Sequence, residues 1–244
     1  MATLLITHPV FTQHDTGFGH PERSDRMRAI DKVLSHELFQ GLVRAEAPYR
    51  PDVESGILLA HPVQHLDRMR SMIGNVPEGE HTHVDGDTVA SRATWEASQR
   101  AVSAGLEAVD QVMSGKVANA FCQVRPPGHH AENDRAMGFC FFSNAAIAAL
   151  YARSKYGAER VAVVDFDVHH GNGTQDIFWS DKDLFYGSTH QMPLFPGTGE
   201  VSETGAGNVW NAPLREGDDG AVFKAAFTER ILTPLHNHAP DLIV

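Results

Sequence analysis

Two acidic residues and a histidine alternate at the end of the apolar segment 161–164, as Asp165, Asp167 and His169. Alternate side chains of an extended strand share a face, so we expect these three groups to converge. A packing role is unfavourable for two carboxylates this close, and a bound divalent cation would relieve their repulsion. Carboxylate and imidazole ligands together suit zinc or a similar metal. We therefore predict that Asp167 and His169 bind a metal ion, the alternative being a solvated surface turn.

A second unusual run, residues 125–132, reads Arg-Pro-Pro-Gly-His-His-Ala-Glu. Pro-Pro-Gly favours a turn, and loops are where catalytic groups are commonly found. We predict that His129 and His130 form an acid/base pair, which accepts a proton from a metal-activated water and protonates a leaving amine. The alternative is a pair of structural histidines. The two runs together predict metal-assisted hydrolysis.

A length of 244 residues suits one α/β domain, and a composition of 42% hydrophobic and 21% charged residues is ordinary for a globular protein. A net charge of −11 argues against direct binding to nucleic acid, which needs a basic face. The sequence has no signal-peptide pattern and no apolar stretch near the ~20 residues that span a bilayer. We therefore expect a cytoplasmic protein with no membrane partner, in which Cys122 and Cys140 are reduced.

Predicted strands alternate with predicted helices, which indicates a mainly parallel sheet with helices on both faces. Both chemically interesting runs follow predicted strands, where ligands bind in such sheets. No repeat or linker divides the chain, so residues 1–244 are interpreted as one domain. The predicted strands are 1–7, 120–124, 160–167, 184–189 and 241–244. The predicted helices are 22–39, two within 54–73 that break at position 62, 91–113, 143–156, 174–179 and 221–238.

Four motifs in order resemble those of the histone deacetylase superfamily. They are RPPGHHAE at 125–132, MGFCFFSN at 137–144, VDFDVHHGNGTQ at 164–175 and FPGTG at 195–199. Weaker similarity at 19–23 and 240–244 extends the resemblance over nearly the whole chain. It is closest to the class II-like bacterial branch, with its acetylpolyamine amidohydrolases and acetoin-utilisation-type proteins. The resemblance implies the three-layer arginase/deacetylase-like α/β fold and zinc-dependent hydrolysis that releases acetate from acetyl-lysine or an acetylated polyamine.

The resemblance also implies roles for individual residues. Asp167 and His169 match zinc ligands, while Asp165 partners His129, and Asn172 partners His130. The family often has aspartate where this chain has Asn172, and an amide cannot stabilise an imidazolium by charge. This difference favours His130 as the general base and His129 as the more readily cationic histidine.

Further positions match the family's substrate channel and a second cation site. Gly138, Phe139 and Phe195 match channel residues, although the two phenylalanines would also suit a core. Asp87, or failing that Asp85, matches a rim aspartate that grips the substrate backbone, although Asp87 could instead be a helix N-cap. A potassium ion near Asp165 and Ser188 is also implied by the resemblance.

Four points stay open at the level of sequence. The resemblance places the third zinc ligand and the group that polarises the acyl carbonyl in segments that would follow Val244, so we expect a deacetylase-like domain without its C-terminal part. The substrate alternatives are other small amides or esters, or no reaction at all in an acyl-lysine-binding remnant. Arginase-type manganese hydrolases would need further Asp or His ligands at DxHxD spacing, whereas this chain has Asn172 and no aspartate at position 171. A homo-oligomer is left open.

Overall fold

The computed structural model describes residues 2–244, so Met1 of the predicted first strand lies outside the described residues. Helices and strands alternate along most of the chain. The strands are β1 (Thr3–Thr7), β2 (Val43–Glu46), β3 (Thr82–His83), β4 (Val89–Ala90), β5 (Asn119–Cys122), β6 (Val161–Asp165), β7 (Leu184–Gln191), β8 (Val209–Leu214) and β9 (Leu242–Ile243). The α-helices are α1 (Asp25–Leu34), α2 (Val53–Ile57), α3 (Val63–Ile73), α4 (Thr94–Met113), α5 (Asn144–Tyr156), α6 (Asn172–Phe178), α7 (Gly220–Ala226) and α8 (Thr233–His238). Short 3-10 helices cover Pro9–Thr12 and Glu37–Phe39, and a π-helical segment, Phe227–Leu232, joins α7 to α8.

The parallel strands form two sheets. Their orders are β2-β1-β5 and β8-β7-β6-β9, while β3 and β4 form an antiparallel hairpin. In the second sheet, Val161 of β6 lies opposite Leu184 of β7 and Leu242 of β9. Because neighbouring strands within each sheet run in the same direction, the loops that follow β6 and β7 meet at one edge of their sheet.

Alternate residues of β6 contact helices on opposite faces of the sheet. Val161 and Val163 belong to the cluster that includes the buried side chains of α5, whereas Ala162 packs with Ile231 and Leu235 near the C-terminal end. A parallel strand covered on both faces needs this continuous apolar run. The arrangement is the predicted three-layer one of helix, sheet and helix.

The longest helix, α4, covers β1 and β5 with small side chains. Ala97, Ala101 and Ala104 are fully buried and pack in one cluster with Leu4 and Ile6. Short side chains let the helix lie close to the strands, which fixes the end of β5 and the start of the loop that follows it. No helix among residues 2–244, α4 included, is long and apolar enough to cross a membrane.

An apolar cleft of about 640 Å³ separates the two sheets. It is lined by β5 on one side, β9 on the other, and α4 and α5 beneath. Ile243 of β9, which lines this cleft, is 55% exposed. Strand β9 pairs with β6 on one side and faces this cleft on the other.

Several predicted boundaries differ from the structure. The predicted helix 22–39 is shorter, because α1 begins at Asp25 and a turn separates it from the 3-10 helix at 37–39. The hairpin β3–β4 and the strands β2 and β8 are additional elements. Strand β2 is mostly exposed and β8 contains Pro213, so neither has the apolar pattern of a central strand. The helix predicted for 221–238 is present, with a π-helical turn in its middle.

Candidate active site

A buried ion pair anchors the loop that carries the two histidines. Arg125 is fully buried, and its guanidinium donates to both carboxylate oxygens of Glu22 at 2.5 and 2.7 Å. It also donates to the backbone oxygens of Phe11 and His14. A bidentate pair of this kind fixes direction as well as distance. The loop after β5 is thereby held against the N-terminal segment.

His129 forms a charge-assisted pair with the carboxylate at the end of β6. Its Nδ1 lies 2.9 Å from Asp165 Oδ2, which also accepts from the hydroxyl of buried Tyr186 at 3.1 Å. Burial opposes protonation of the His129 imidazole, but the hydrogen bond and negative charge of Asp165 outweigh burial and raise its pKa. Burial likewise opposes ionisation of Asp165, and the contact with His129 reverses that effect and lowers its pKa. This pair favours an imidazolium facing a carboxylate.

His130 lies beside His129 in a different environment. The two ring centroids are 4.0 Å apart, and His130 Nδ1 is 2.9 Å from Asn172 Oδ1. Burial, followed by the neighbouring His129, lowers the pKa of His130 to about 3. The two adjacent imidazoles therefore differ in charge preference, and the difference follows from Asp165 on one and Asn172 on the other.

Asp167 and His169 lie close together, but in a loop and not in the strand. Strand β6 ends at Asp165, so the expectation that strand alternation aligns these residues is wrong. The loop turns because Asp165 Oδ1 accepts from the Asp167 amide and Asp167 Oδ1 accepts from the His169 amide. The two side chains are about half-exposed, with His169 Nδ1 3.3 Å from Asp167 Oδ1. Among residues 2–244, no group of three or more His, Cys, Asp and Glu side chains has the geometry to hold a metal ion.

The pair of side chains nevertheless suits two ligands of one metal. Ligands at about 2.0–2.1 Å from a tetrahedral zinc are separated by roughly 3.3 Å, which is the separation observed here. No cationic Lys or Arg side chain among the described residues forms an ion pair with Asp167. A cavity of about 630 Å³ adjoins His129, Asp165 and Asp167.

Two of the predicted channel residues, Gly138 and Phe195, lie against His130. Gly138 has a φ of +57°, and a Cβ there would lie 2.5 to 2.8 Å from three atoms of the His130 side chain. Only glycine lets the backbone approach the ring this closely. Phe195 is 42% exposed and meets the His130 ring edge-on, with centroids 5.0 Å apart. Phe139, at a φ of +69°, is partly buried, and its ring contacts that of His20 at 4.9 Å.

Asp87 lies at the same wall, because its neighbour Thr88 accepts from the Phe139 amide. The backbone oxygen of Asp87 contacts His20 Nε2 at 3.0 Å. The N-cap alternative is wrong for Asp87, because α4 begins at Thr94 and β4 lies between them. Asp85, the second choice for the rim, instead pairs with Arg135.

Ser188 lies directly opposite Asp165 in the register of β6 and β7. Its hydroxyl contacts His190 Nδ1 at 2.9 Å, and the side chain is fully buried. The structure thus brings together the two residues of the implied potassium site, which itself stays a prediction.

Sequence reasoning gave no role to several polar side chains that contact the site. Tyr186 bonds to Asp165, and Glu132 bonds to Asn172 at 2.7 Å. Tyr186 and Ser188 share a strand face, so period-two alternation could have identified the tyrosine. Glu132 ended the quoted RPPGHHAE motif, but only the fold shows that its carboxylate turns back to α6.

Comparison with known proteins gives consistent matches. The family described as histone deacetylase domain matches residues 20–244. An uncharacterized protein of Synechocystis sp. is 38% identical over 98% of this chain and 78% of its own length. A histone deacetylase-like amidohydrolase of Pseudomonas aeruginosa is 34% identical over 98% of this chain and 63% of its own. The crystal structure of the HDA15 HD domain superposes with a TM-score of 0.90 at 31% identity, covering 99% of this chain and 70% of that one.

These matches confirm the predicted deacetylase-type three-layer fold and the resemblance stated from the motifs. Two of the matched proteins are named a deacetylase-like amidohydrolase and a probable deacetylase, the latter from Archaeoglobus fulgidus, which agrees with the predicted enzyme class. Among the first five curated relatives, the chain spans between 54% and 78% of their length.

Proposed function

Because the chain belongs to the histone deacetylase family, we propose that it hydrolyses an acyl amide, most simply the acetyl amide of acetyl-lysine or of an acetylated polyamine. The observation that carries the proposal is the pairing of two adjacent histidines with unlike partners, Asp165 and Asn172, beside two metal-type ligands. This is the arrangement that amide hydrolysis needs, since one group must accept a proton while another supplies one.

We propose Zn²⁺ as the metal, with Asp167 and His169 as two of its ligands. When bound, zinc polarises the acyl carbonyl and lowers the pKa of a coordinated water to ~7. The chemistry of the donor set and the 3.3 Å separation of its two atoms support this assignment.

The two histidines divide the proton transfers. His130 is neutral, so its imidazole accepts a proton from the attacking water as the new C–O bond forms. His129, whose cationic form is stabilised by Asp165, supplies the proton that the amine nitrogen needs when the C–N bond breaks. The products are a carboxylic acid and a free amine, and proton exchange with solvent resets the pair.

The surroundings favour an acyl group on a cationic amine. Phe195 and Phe139 supply apolar surface for a methylene stem, and Asp87 lies on the Phe139 side. The net charge of −11 favours cationic substrates of either class. Charge therefore does not separate an acetyl-lysine peptide from an acetylated polyamine.

A substrate panel tests the proposal. The full-length protein is assayed for acetate release from an acetyl-lysine peptide, an acetylated polyamine and a neutral acetanilide, with elemental analysis for zinc. We expect zinc-dependent acetate release that the Asp167→Ala and His169→Ala variants lose together with bound zinc. Zinc retained in both variants would contradict the ligand assignment. Binding of the acetylated peptide without acetate release from any compound would favour the non-catalytic alternative.

A further inference from the structure

Three polar side chains are linked in series and end at His130. Glu132 Oε1 lies 2.7 Å from Asn172 Nδ2, and Asn172 Oδ1 lies 2.9 Å from His130 Nδ1. Glu132 and His130 belong to the loop after β5, whereas Asn172 opens α6. His130 and Asn172 are 4% and 5% exposed, so solvent has little access to the contact between them.

The chemistry of the three groups fixes the direction of each hydrogen bond. A carboxylate has only acceptor atoms, so Asn172 must turn its NH2 group toward Glu132. The second acceptor near that NH2 group is Met137 Sδ at 3.4 Å. The amide oxygen is then left for His130, whose Nδ1 must carry the hydrogen. A neutral imidazole has a single N–H, so Nε2 keeps its lone pair.

Asn172 alone would not impose this tautomer. An amide rotated by half a turn presents NH2 to Nδ1 and favours the form of His130 that carries its hydrogen on Nε2. That form cannot accept a proton through Nε2. The rotated amide would also place its oxygen against Glu132 Oε1 at hydrogen-bond distance, where two acceptors repel. Glu132 therefore selects one of the two possible orientations of the Asn172 amide. An aspartate at position 172 would need no such selection, because both of its oxygens are acceptors.

We propose that Glu132 is a positioning residue that orients Asn172 and so holds His130 in the tautomer with Nδ1 protonated and Nε2 free. Its use in catalysis rests on the proposed function. The tautomer itself is a property of the folded chain, and it can be measured without turnover.

A carboxylate–amide exchange isolates this role. In Glu132→Gln, the new amide both donates and accepts, so both orientations of Asn172 become available. In the exchange variant, which combines Glu132→Gln with Asn172→Asp, the introduced glutamine amide donates to the introduced carboxylate. That carboxylate has only acceptor atoms, so it accepts from His130 Nδ1 without ambiguity. The control is Asp134→Asn, which removes one negative charge from an exposed position of the same loop.

The tautomer is read from ¹H–¹⁵N correlations of the His130 ring, assigned by comparison with His130→Ala. We expect the Nδ1–H form in the wild type, a mixture in Glu132→Gln, and the Nδ1–H form again in the exchange variant. Turnover of an acetyl-lysine peptide should fall about 10–100-fold in Glu132→Gln, in kcat and not in KM, and recover in the exchange variant. The control should match the wild type in both measurements.

Two results would overturn the proposal. One is a wild-type His130 that carries its hydrogen on Nε2, or that keeps its tautomer in Glu132→Gln. The other is a loss of kcat in Glu132→Gln that the exchange variant does not restore, which indicates a purely structural carboxylate. A wild type inactive on every acetylated compound would contradict the proposed function instead, and the ring correlations would still decide the role of Glu132.

Discussion

At position 138, a side chain of any size would collide with His130. A Cβ built on Gly138 lies 2.5 Å from His130 Cδ2, and the backbone has a φ of +57°. We expect Gly138→Ala to lower the free energy of unfolding by about 1–3 kcal/mol and to displace the imidazole, with a larger relative loss of kcat. Urea denaturation and initial rates measure the two effects. Gly41→Ala, where a Cβ meets nothing within 4 Å, is the control and should change neither.

His130 itself should be dispensable for folding and essential for rate. Replacing it with alanine removes the neutral imidazole that accepts the proton, and we expect kcat to fall by roughly 10²–10⁴ while bound zinc is retained. The exposed His236 provides the matched control, since His236→Ala removes an imidazole far along the chain. Near-normal turnover of His130→Ala would show that another group accepts the proton.

The loop that carries Phe195 is held by side chains from neighbouring elements. Glu203 accepts from the Gly199 amide and from Gln175 Nε2 at 2.6 Å, and Gln175 Oε1 contacts His170 Nε2. His170 in turn contacts Thr198 at 2.8 Å. The series ties the end of this loop to α6.

We expect Glu203→Ala to loosen this wall of the channel and to raise KM about tenfold with a smaller change in kcat. Hydrogen bonds to a charged group contribute roughly 1.5–3 kcal/mol. We expect most of the energy lost with these bonds to be energy that holds the loop in position. Steady-state kinetics on an acetyl-lysine peptide provide the measurement. Glu200→Ala removes an exposed carboxylate from the same turn and serves as the control. Equal KM values in the two variants would show that the loop holds its position without Glu203.

A charged cluster connects α4 to α5 at Asp110. Burial would raise the pKa of this carboxyl, but hydrogen bonds from Lys155, Arg50 and Tyr156 outweigh burial and lower it to about 2. A carboxyl whose folded pKa lies below its ordinary 3.8 stabilises the fold above that value. The contribution is lost as the pH falls through the interval from 3.8 to about 2.

We therefore expect Asp110→Asn to reduce the free energy of unfolding by about 1–3 kcal/mol at neutral pH. The difference from the wild type should shrink below pH 3.8 and vanish near pH 2. Denaturation curves across this range test the sign. A difference in the free energy of unfolding that persisted near pH 2 would show that the changed shape of the side chain, and not its lost charge, destabilises the variant.

At the scale of elements, sequence patterns predicted what local apolar runs determine. The segment Val161–Val164 identified β6, and an alanine-rich stretch identified α5. The same patterns missed β8, in which Pro213 and Asn211 interrupt the apolar run at an edge strand. Strand periodicity also extended β6 beyond Asp165, because the side-chain to backbone bonds that turn the chain there have no periodic signal.

At the candidate site, sequence motifs predicted which residues approach one another, and only the fold shows how they are oriented. Asn172 was expected to partner His130, and the contact exists at 2.9 Å. The orientation of its amide depends on Glu132, forty residues away in sequence, and on Met137. Long-range polar contacts of this kind leave no local pattern, so a single sequence could not predict them.

At the scale of the whole molecule, charge should govern the approach of the substrate. The chain carries a net charge of −11, and Asp85 and Asp87 are partly exposed near the channel wall. The Debye length falls from about 30 Å at 0.01 M salt to about 8 Å at 0.15 M, which screens attraction beyond direct contacts. We expect KM for an acetylated polyamine to rise several-fold over this interval, while KM for neutral acetanilide stays constant because acetanilide has no charge to screen.

Asp87→Asn should reduce the salt dependence for the polyamine, and Glu37→Gln, which removes an exposed charge from the 3-10 helix at 37–39, should not. An equal response of the charged and neutral compounds would show that salt acts on the fold or the metal and not on substrate attraction.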